Sequence, residues 1–316
     1  MITDVHDRKF KKLRVSLTEV CNLGCRYCVA KGEEDEKDAI KQVLKEKAST
    51  NKILHNINKL HEYCQLESVR LTGGEPLLYG DIERLIEGIK KIGIKDINMT
   101  TNAVFLTDKA RDLKYAGLSG VNVSLDALEQ EAFFKMTRRK NLQKVLDGIE
   151  AAADAGLKVK INTVVMKGVN ENQIVPLLRY AADKGVVVRF LELMQMGHLH
   201  GNYRDQFYSQ QEILGQIKKH HRVYAVGRKQ SATSAYWLTE TGQRFGVIAN
   251  ESAPFCSDCD RLRLDQQGRI YGCISSEKGL ALGNNHYMEA ILQEAMDQKQ
   301  IDKFHGSEMS MKKIGG

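Results

Sequence analysis

Six of the seven cysteines fall into two sets of three, and their spacing defines the chemistry open to the chain. The first set is Cys21-Asn22-Leu23-Gly24-Cys25-Arg26-Tyr27-Cys28, a C-x3-C-x2-C run directly after the strand-like residues 13–17. Three thiolates this close can ligate three irons of a [4Fe–4S] cube, since thiolate is the soft ligand such clusters take. The fourth iron is then left without a protein ligand, and an open iron is a place for substrate chemistry rather than electron storage. A structural zinc knuckle or three buried thiols is the plainer alternative. The second set is Cys256-Ser257-Asp258-Cys259, followed beyond a turn at Gly268 by Cys273. No fourth cysteine closes a structural zinc site here, although His286 could serve, and a second cube with an open iron is the better reading. Arg261 and Arg263 stand two apart on a strand-like run, so both point to one face beside this triplet. Two arginines on one face are usually a solvated edge; next to an open iron they read as an anion clamp, because their forks match phosphate and carboxylate oxygens. A third clue is Leu71-Thr72-Gly73-Gly74-Glu75-Pro76. Two glycines after a strand let the backbone approach a ligand closely, although alone the pattern is only a turn between strand and helix.

These residues need elements to hold them. Apolar stripes at i, i+3, i+4, i+7 mark helices at Ile82, Leu85, Ile86, Ile89; at Leu142, Val145, Leu146, Ile149; and at Ile174, Leu177, Leu178, Ala181. Another helical pattern ends near Tyr63, and Pro176 is tolerated in a first turn. Strand-like runs at 13–17, 68–72, 96–100, 120–124, 158–165 and 186–191 separate the helices. Regular βα alternation means a parallel sheet covered by helices, and six units fit an open or partial (βα)6 barrel better than a closed eight-fold one. The C-terminal strand ends, where Cys21, residues 72–75 and 100–102, Ser124, Asp126 and Glu192 fall, face the site. Beyond Gly197 the pattern changes to short β runs at 222–226, 235–238 and 245–248, which suggests a smaller α+β domain. The expected division is 1–200 and 201–316. Residues 304–316 carry no core pattern, and a charged tail ending in glycines is disordered by default.

Hydrophobic content of 42 % and charged content of 28 % describe an ordinary soluble protein of ample core size. No apolar run reaches a membrane span and the start lacks a signal-peptide pattern, so the cytoplasm is expected. Cysteines in two tight clusters are a poor disulfide framework and agree with that compartment. A net charge of +7 favours an anionic partner, but no basic run interleaves aromatics, so nucleic acid is not expected. Cys64 reads as a small buried apolar residue, and His220-His221 as a solvated helix end.

The first cysteine run, with Tyr27 before its third cysteine, resembles the radical S-adenosylmethionine (SAM) superfamily. Adding the second triplet, Arg261, Arg263 and the terminal Gly315-Gly316, the chain resembles the GTP 3′,8-cyclases of molybdenum cofactor biosynthesis along nearly its whole length. The resemblance implies two [4Fe–4S] clusters, one on Cys21, Cys25 and Cys28 that cleaves SAM, one on Cys256, Cys259 and Cys273 that meets guanine. It implies SAM contacts at Tyr27, Gly73, Gly74, Glu75, Thr101, Ser124 and Arg189. GTP contacts fall at Arg14, Arg70, Lys160, Arg261 and Arg263, with Arg14, Arg261, Arg263, Gly315 and Gly316 in catalytic roles. The Gly-Gly tail in such enzymes reaches into the site, which overrides the disordered default. Two departures stand out. Val29-Ala30-Lys31-Gly32 replaces the family's Met-Pro turn, and Ser68 stands where a triphosphate-contacting lysine is common, with Lys31 the cation expected to compensate.

The partners implied are GTP, a low-potential electron donor such as flavodoxin, and the next molybdopterin-pathway enzyme; a homodimer is allowed, and no membrane is involved. One competing reading is a two-cluster radical SAM enzyme that modifies a peptide or protein side chain, but such enzymes usually carry more C-terminal cysteines and lack the Gly-Gly end. A non-catalytic iron–sulfur carrier or zinc-stabilised binding protein is the other. A carrier normally caps every cluster iron, whereas both triplets leave one bare.

Overall fold

Alternating side chains build the first strand, β1 (Lys12–Ser16), which buries Leu13 and Val15 on one face and turns Lys12, Arg14 and Ser16 to the other. The computed structural model describes residues 2–32, 49–283 and 287–315. His286, Gly316 and residues 33–48 lie outside the described residues.

Five further strands follow in parallel: β2 (Ser68–Thr72), β3 (Asp96–Thr101), β4 (Gly120–Ser124), β5 (Lys158–Val165) and β6 (Val187–Glu192). Helices return the chain between them: α1 (Thr50–Cys64), α2 (Ile82–Ile92), α3 (Leu106–Ala116), α4 (Gln130–Thr137), α5 (Leu142–Asp154) and α6 (Ile174–Asp183). The expected stripes are the buried ones, except that Leu146 is only half-buried. Ile82, Leu85, Ile86 and Ile89 are fully buried, as are Leu177, Leu178 and Ala181. Cys64 also sits in this core, where burial pushes its thiol up to about 12.

Register shows which residues share the inner face. Arg14 pairs with Arg70, Arg70 with Asn98, Asn122 with Lys160, and Asn162 with Arg189. Paired residues, and residues two apart on a strand, lie on one side of a sheet. The inner face is therefore polar and cationic, whereas a closed eight-fold barrel fills its interior with branched apolar side chains. The sheet is curved: residues of β2 to β6 line a single cavity together with the cysteine loop after β1. This is a partial (βα)6 barrel.

Strands beyond residue 200 extend the same sheet at both edges to twelve strands. After α7 (Gln210–Lys218) come β7 (Val223–Gly227), β8 (Ala235–Thr239) and β9 (Arg244–Ile248); β9 lies parallel to β6, with β8 and β7 antiparallel outside it. At the other edge β10 (Arg261–Leu264) lies parallel to β1, followed by β11 (Arg269–Tyr271) and β12 (Leu280–Ala281). Helix α8 (Met288–Asp297) packs on this edge, and α9 (Met311–Ile314) is the last element. The tail is not coreless as its pattern suggested. Phe304 and Ile314 are 5 % and 1 % exposed and pack with Met196 and Tyr271, because single apolar residues spaced without period can still find a shared pocket. Among the described residues, no helix is long and apolar enough to cross a membrane.

Candidate active site

The first cysteine loop is pinned by hydrogen bonds from three directions. Gly74 N donates to Thr18 O at 2.6 Å and Glu75 N to Val20 O at 2.7 Å. Gly24 N and Arg26 N donate to Thr137 O and Met136 O at the end of α4, at 3.0 and 2.9 Å. Arg138, just past α4, donates to Gly24 O at 2.9 Å and Val29 O at 3.1 Å. The loop's shape is thus fixed by its neighbours. The glycines of the Gly-Gly-Glu-Pro turn serve this packing: a Cβ on Gly74 would meet Val20 O at 2.1 Å, and one on Gly73 would meet Thr18 O at 2.4 Å.

Cys21, Cys25 and Cys28 line one cavity with Tyr27, Gly73, Gly74, Glu75, Thr101 and Ser124. Burial and the Glu75 carboxylate push Cys21 up to about 11, and burial and Cys21 push Cys28 up to about 12. Burial and Cys28 raise Cys25 well above its ordinary value. Glu75 spends its acceptors on Leu77 N, Thr101 Oγ1 and Asn102 N at 3.1, 2.7 and 2.7 Å, and burial still lifts it to about 7. It therefore holds the β3 end against the cysteine loop. Tyr27 donates to Asp126 Oδ2 at 3.0 Å. Arg189 reaches the cavity through one intermediary, donating from Nε to Asn162 Oδ1 at 2.9 Å, and Asn162 lines the wall.

The second triplet sits at the other end of the parallel strands, since Cys256 and Cys259 precede β10 whereas Cys21 follows β1. Cys273 follows β11, which runs antiparallel to β10 and so ends at the same place. Gly272 admits no side chain: a Cβ would lie 1.6 Å from Ala295 O of α8. Buried Arg8, paired with Asp4, donates to Cys256 O at 2.8 Å, so the N-terminal segment straps this loop. Burial, Cys273 and Cys259 push Cys256 up to about 11. Burial also works to raise Cys259, but Lys299 and Arg261 outweigh it and bring it down to about 6.

Between the two ends lies a basin of cations. Arg14, flanked by Arg263 and Arg70 in the register, is held well below its ordinary value by burial and those two neighbours. Burial and Arg189 bring Arg70 down to about 10, and burial with Arg189 and Arg70 lowers Lys160. Among the described residues Arg14, Arg70 and Lys160 form no ion pair or hydrogen bond. Arg261 donates to Ser231 O at 3.1 Å and lies 5.4 Å from the Phe255 ring centre. Arg263 donates to Ile314 O at 3.2 Å and to Gly315 O. Gly315, at φ +76°, would place a Cβ 2.5 Å from Thr72 Cγ2, so the tail enters here only as glycine. Lys31 lies in a groove with Arg26, Phe134 and Arg138, at the end of the barrel opposite Ser68, the first residue of β2. The expectation that Lys31 compensates for Ser68 is therefore corrected.

The family model described as Radical SAM superfamily matches residues 15–181, and that described as Molybdenum Cofactor Synthesis C matches residues 186–314. A GTP 3′,8-cyclase of Aquifex aeolicus is 37 % identical over 99 % of this chain and 97 % of its own length. One from Clostridium botulinum is 38 % identical over 99 % of both chains. The chain belongs to the GTP 3′,8-cyclase family. Among solved structures, Streptococcus suis SuiB bound to its precursor peptide matches with a TM-score of 0.66 at 15 % identity, covering 92 % of this chain and 68 % of that one. Native anSMEcpe with bound AdoMet matches at 0.62 and 15 % over 92 % and 81 %. At that identity these likenesses show the fold alone.

The cyclase family implies iron–sulfur clusters and SAM, and the donor sets fit them. All six thiols of the triplets are free of disulfides. Burial and fellow thiolates press Cys25, Cys28 and Cys256 upward, which iron cations would relieve. Among the described residues, no three His, Cys, Asp or Glu groups close tightly enough for a single ion. A cube, which spreads its thiolates over separate irons, has no such requirement. The strand-end pattern places Asn102, whose Nδ2 lies 3.8 Å from Cys21 Sγ, and the buried Asp126 at the site. Spacing alone missed the half-buried Lys299, 3.1 Å from Cys259 Sγ, and Lys312, which lines the first cavity. The residues 100–102 and 123–126 were legible as strand ends, but nothing local signalled Lys299 or Lys312.

Proposed function

We propose that this chain carries out the cyclase reaction with the residues described above: a hydrogen atom passes from ribose C3′ of GTP to the 5′-deoxyadenosyl radical, and C3′ joins guanine C8. The resulting base radical takes up one electron, from the low-potential donor, and one proton at N7 to give 3′,8-cyclo-7,8-dihydro-GTP. The observation that carries the assignment is the basin of Arg14, Arg70 and Lys160, unpaired among the described residues, between two thiol triplets at opposite ends of one barrel. Lys12 to Ser16 spans about 13 Å along β1, the scale of a nucleoside triphosphate laid lengthwise.

Cys21, Cys25 and Cys28 would hold the first cluster and Cys256, Cys259 and Cys273 the second. When bound, SAM on the reduced first cluster supplies a 5′-deoxyadenosyl radical. Everything else is positioning. Arg14, Arg70 and Lys160 would neutralise the triphosphate, with Arg261 and Arg263 holding the purine end near the second triplet. Arg189, donating to Asn162, would fix the wall that SAM and GTP share. Leu23, Val164, Leu191 and Leu193 line the cavity with Tyr27 and exclude water from the reacting carbon. Gly315, against Thr72 and Arg263, would close the cavity without a side chain in the way.

The same reading includes a low-potential electron donor, the next enzyme of the pathway as acceptor of an unstable product, and a cytoplasmic location. It also divides the chain at 200/201, a barrel part and a cluster part that share the sheet. The test uses anaerobically reconstituted protein, SAM, a strong reductant and GTP deuterated at C3′. Deuterium in 5′-deoxyadenosine is the expected result. Unlabelled 5′-deoxyadenosine, formed at the same rate without GTP, would overturn GTP as the substrate.

A further inference from the structure

Lys299 lies just beyond α8, its backbone N–H donating to Met296 O at 3.0 Å. Its neighbours in sequence are tied down on both sides: Gln298 Oε1 accepts from Gly272 N at 3.0 Å, and Gln300 O accepts from Arg8 at 3.3 Å. The side chain is aimed inward. Nζ stands 3.1 Å from Cys259 Sγ and 5.4 Å from the centre of the Phe10 ring. The charged groups that act most on it are Cys259, Cys273 and Arg261, and among the described residues it forms no ion pair with a carboxylate. A half-buried ammonium without a carboxylate partner is stabilised by another anion. The sulfurs of the second triplet are what it faces.

Hydrogen bonds to the ligand sulfurs and the net charge beside them set the potential of an iron–sulfur cluster. A cation donating to a thiolate draws electron density from the iron and favours the reduced form. We propose that Lys299 is a positioning residue that raises the reduction potential of the second cluster through its N–H···S bond to Cys259. The inference rests on the reading of Cys256, Cys259 and Cys273 as holders of a [4Fe–4S] cluster.

The test is a potentiometric titration followed by electron paramagnetic resonance on the full chain with both clusters reconstituted. Lys299→Met is expected to lower one of the two midpoints by at least tenfold in the oxidised-to-reduced ratio, about 59 mV for a one-electron couple. The other midpoint stays where it is. Lys299→Arg, which keeps cation and donor, retains the wild-type value. Lys299→Gln, which keeps a donor without the charge, also falls below wild type, so the test does not depend on the methionine variant assembling. Unchanged midpoints in Lys299→Met and Lys299→Gln at full iron content would overturn the inference, as would an arginine variant that falls as far as methionine. Wild-type protein that binds only one cluster's iron would instead overturn the reading of the second triplet.

Discussion

Replacing Gly74 with alanine separates two explanations of the Gly-Gly pair after β2. If the glycine exists for ligand approach, Gly74→Ala weakens SAM binding and leaves iron loading intact. The packing points elsewhere. The new Cβ would stand 2.1 Å from Val20 O and 2.5 Å from Val20 C, both backbone atoms that cannot swing aside. Restoring ordinary contact requires the two loops to part by more than about 1 Å. That breaks the bonds from Gly74 N to Thr18 O and from Glu75 N to Val20 O, 2.6 and 2.7 Å long. Each is worth about 1 kcal/mol net, and overpacking adds roughly 1–3 kcal/mol, a total of about 3–5 kcal/mol. With about 2 cal/mol/K of unfolding entropy per residue, a chain of 316 residues loses about 1.5 °C per kcal/mol. The thermal midpoint should therefore drop by roughly 5–8 °C. Cys21 moves with Val20, so iron and sulfide per chain after reconstitution should fall from two clusters' worth towards one, with SAM binding lost as a consequence. An unchanged midpoint and full iron, with weaker SAM binding alone, would refute the reasoning.

Three more outcomes follow from the site. Arg70→Met should raise the dissociation constant for GTP by about 10- to 150-fold, the worth of one charged hydrogen bond. It should also raise the melting temperature of the ligand-free chain, because burial and Arg189 both disfavour the charge it removes; a melting temperature that falls would contradict this. Burial lifts Asp126 to about 7, so between about pH 4 and pH 7 the folded chain holds a proton that the unfolded chain has released. Stability of the cluster-free chain should then decline by about 4 kcal/mol across that window as pH rises, and Asp126→Asn should flatten the decline; urea titrations at stepped pH measure it. Ser68 pairs in register with Asp96, so a lysine placed there has a carboxylate beside it. Ser68→Lys should therefore tighten GTP binding by less than about fivefold, and calorimetry showing a tenfold gain would count against the register argument.

Most of the candidate site could be read from residue spacing because its thiols are local. Cys21, Cys25 and Cys28 lie within eight residues, and the strand ends that meet them were visible from alternation and from the helical stripes between them. The reading failed where contacts span the chain. Lys299 meets Cys259 across 40 residues and Arg8 meets Cys256 across 248, and neither has a periodic or spacing signal. The role of Gly74 was half legible. Close approach was correctly implied by the glycine, but which backbone it approaches depends on how the loop after β1 folds over β2. The tail misled for a related reason. Phe304 and Ile314 are isolated apolar residues, and only the pocket made by Met196 and Tyr271 turns them into core. Lys31 sits close in sequence to the first triplet, yet the loop carries it away from the bottom of the barrel, where Ser68 starts β2.

The parallel pairing of β10 with β1 is what joins the two halves into one site. A loop before a strand and a loop after its parallel neighbour must lie at opposite ends of the sheet. The thiols ahead of Arg261 and those beyond Ser16 therefore face each other along the barrel axis, with Arg263, Arg14 and Arg70 side by side in one layer between them. Antiparallel pairing would have brought both triplets to the same end and left no room for a substrate between them. The tail uses the same axis. Lys312 lines the cavity of the first triplet while Ile314 and Gly315 present their carbonyls to Arg263 in the middle layer. Those carbonyls are the partners Arg263 has in the ligand-free chain, whereas Arg14 and Arg70 have none among the described residues. A bound triphosphate would thus relieve repulsion already present in the folded chain, so its affinity draws on a destabilisation that the fold maintains until the anion arrives.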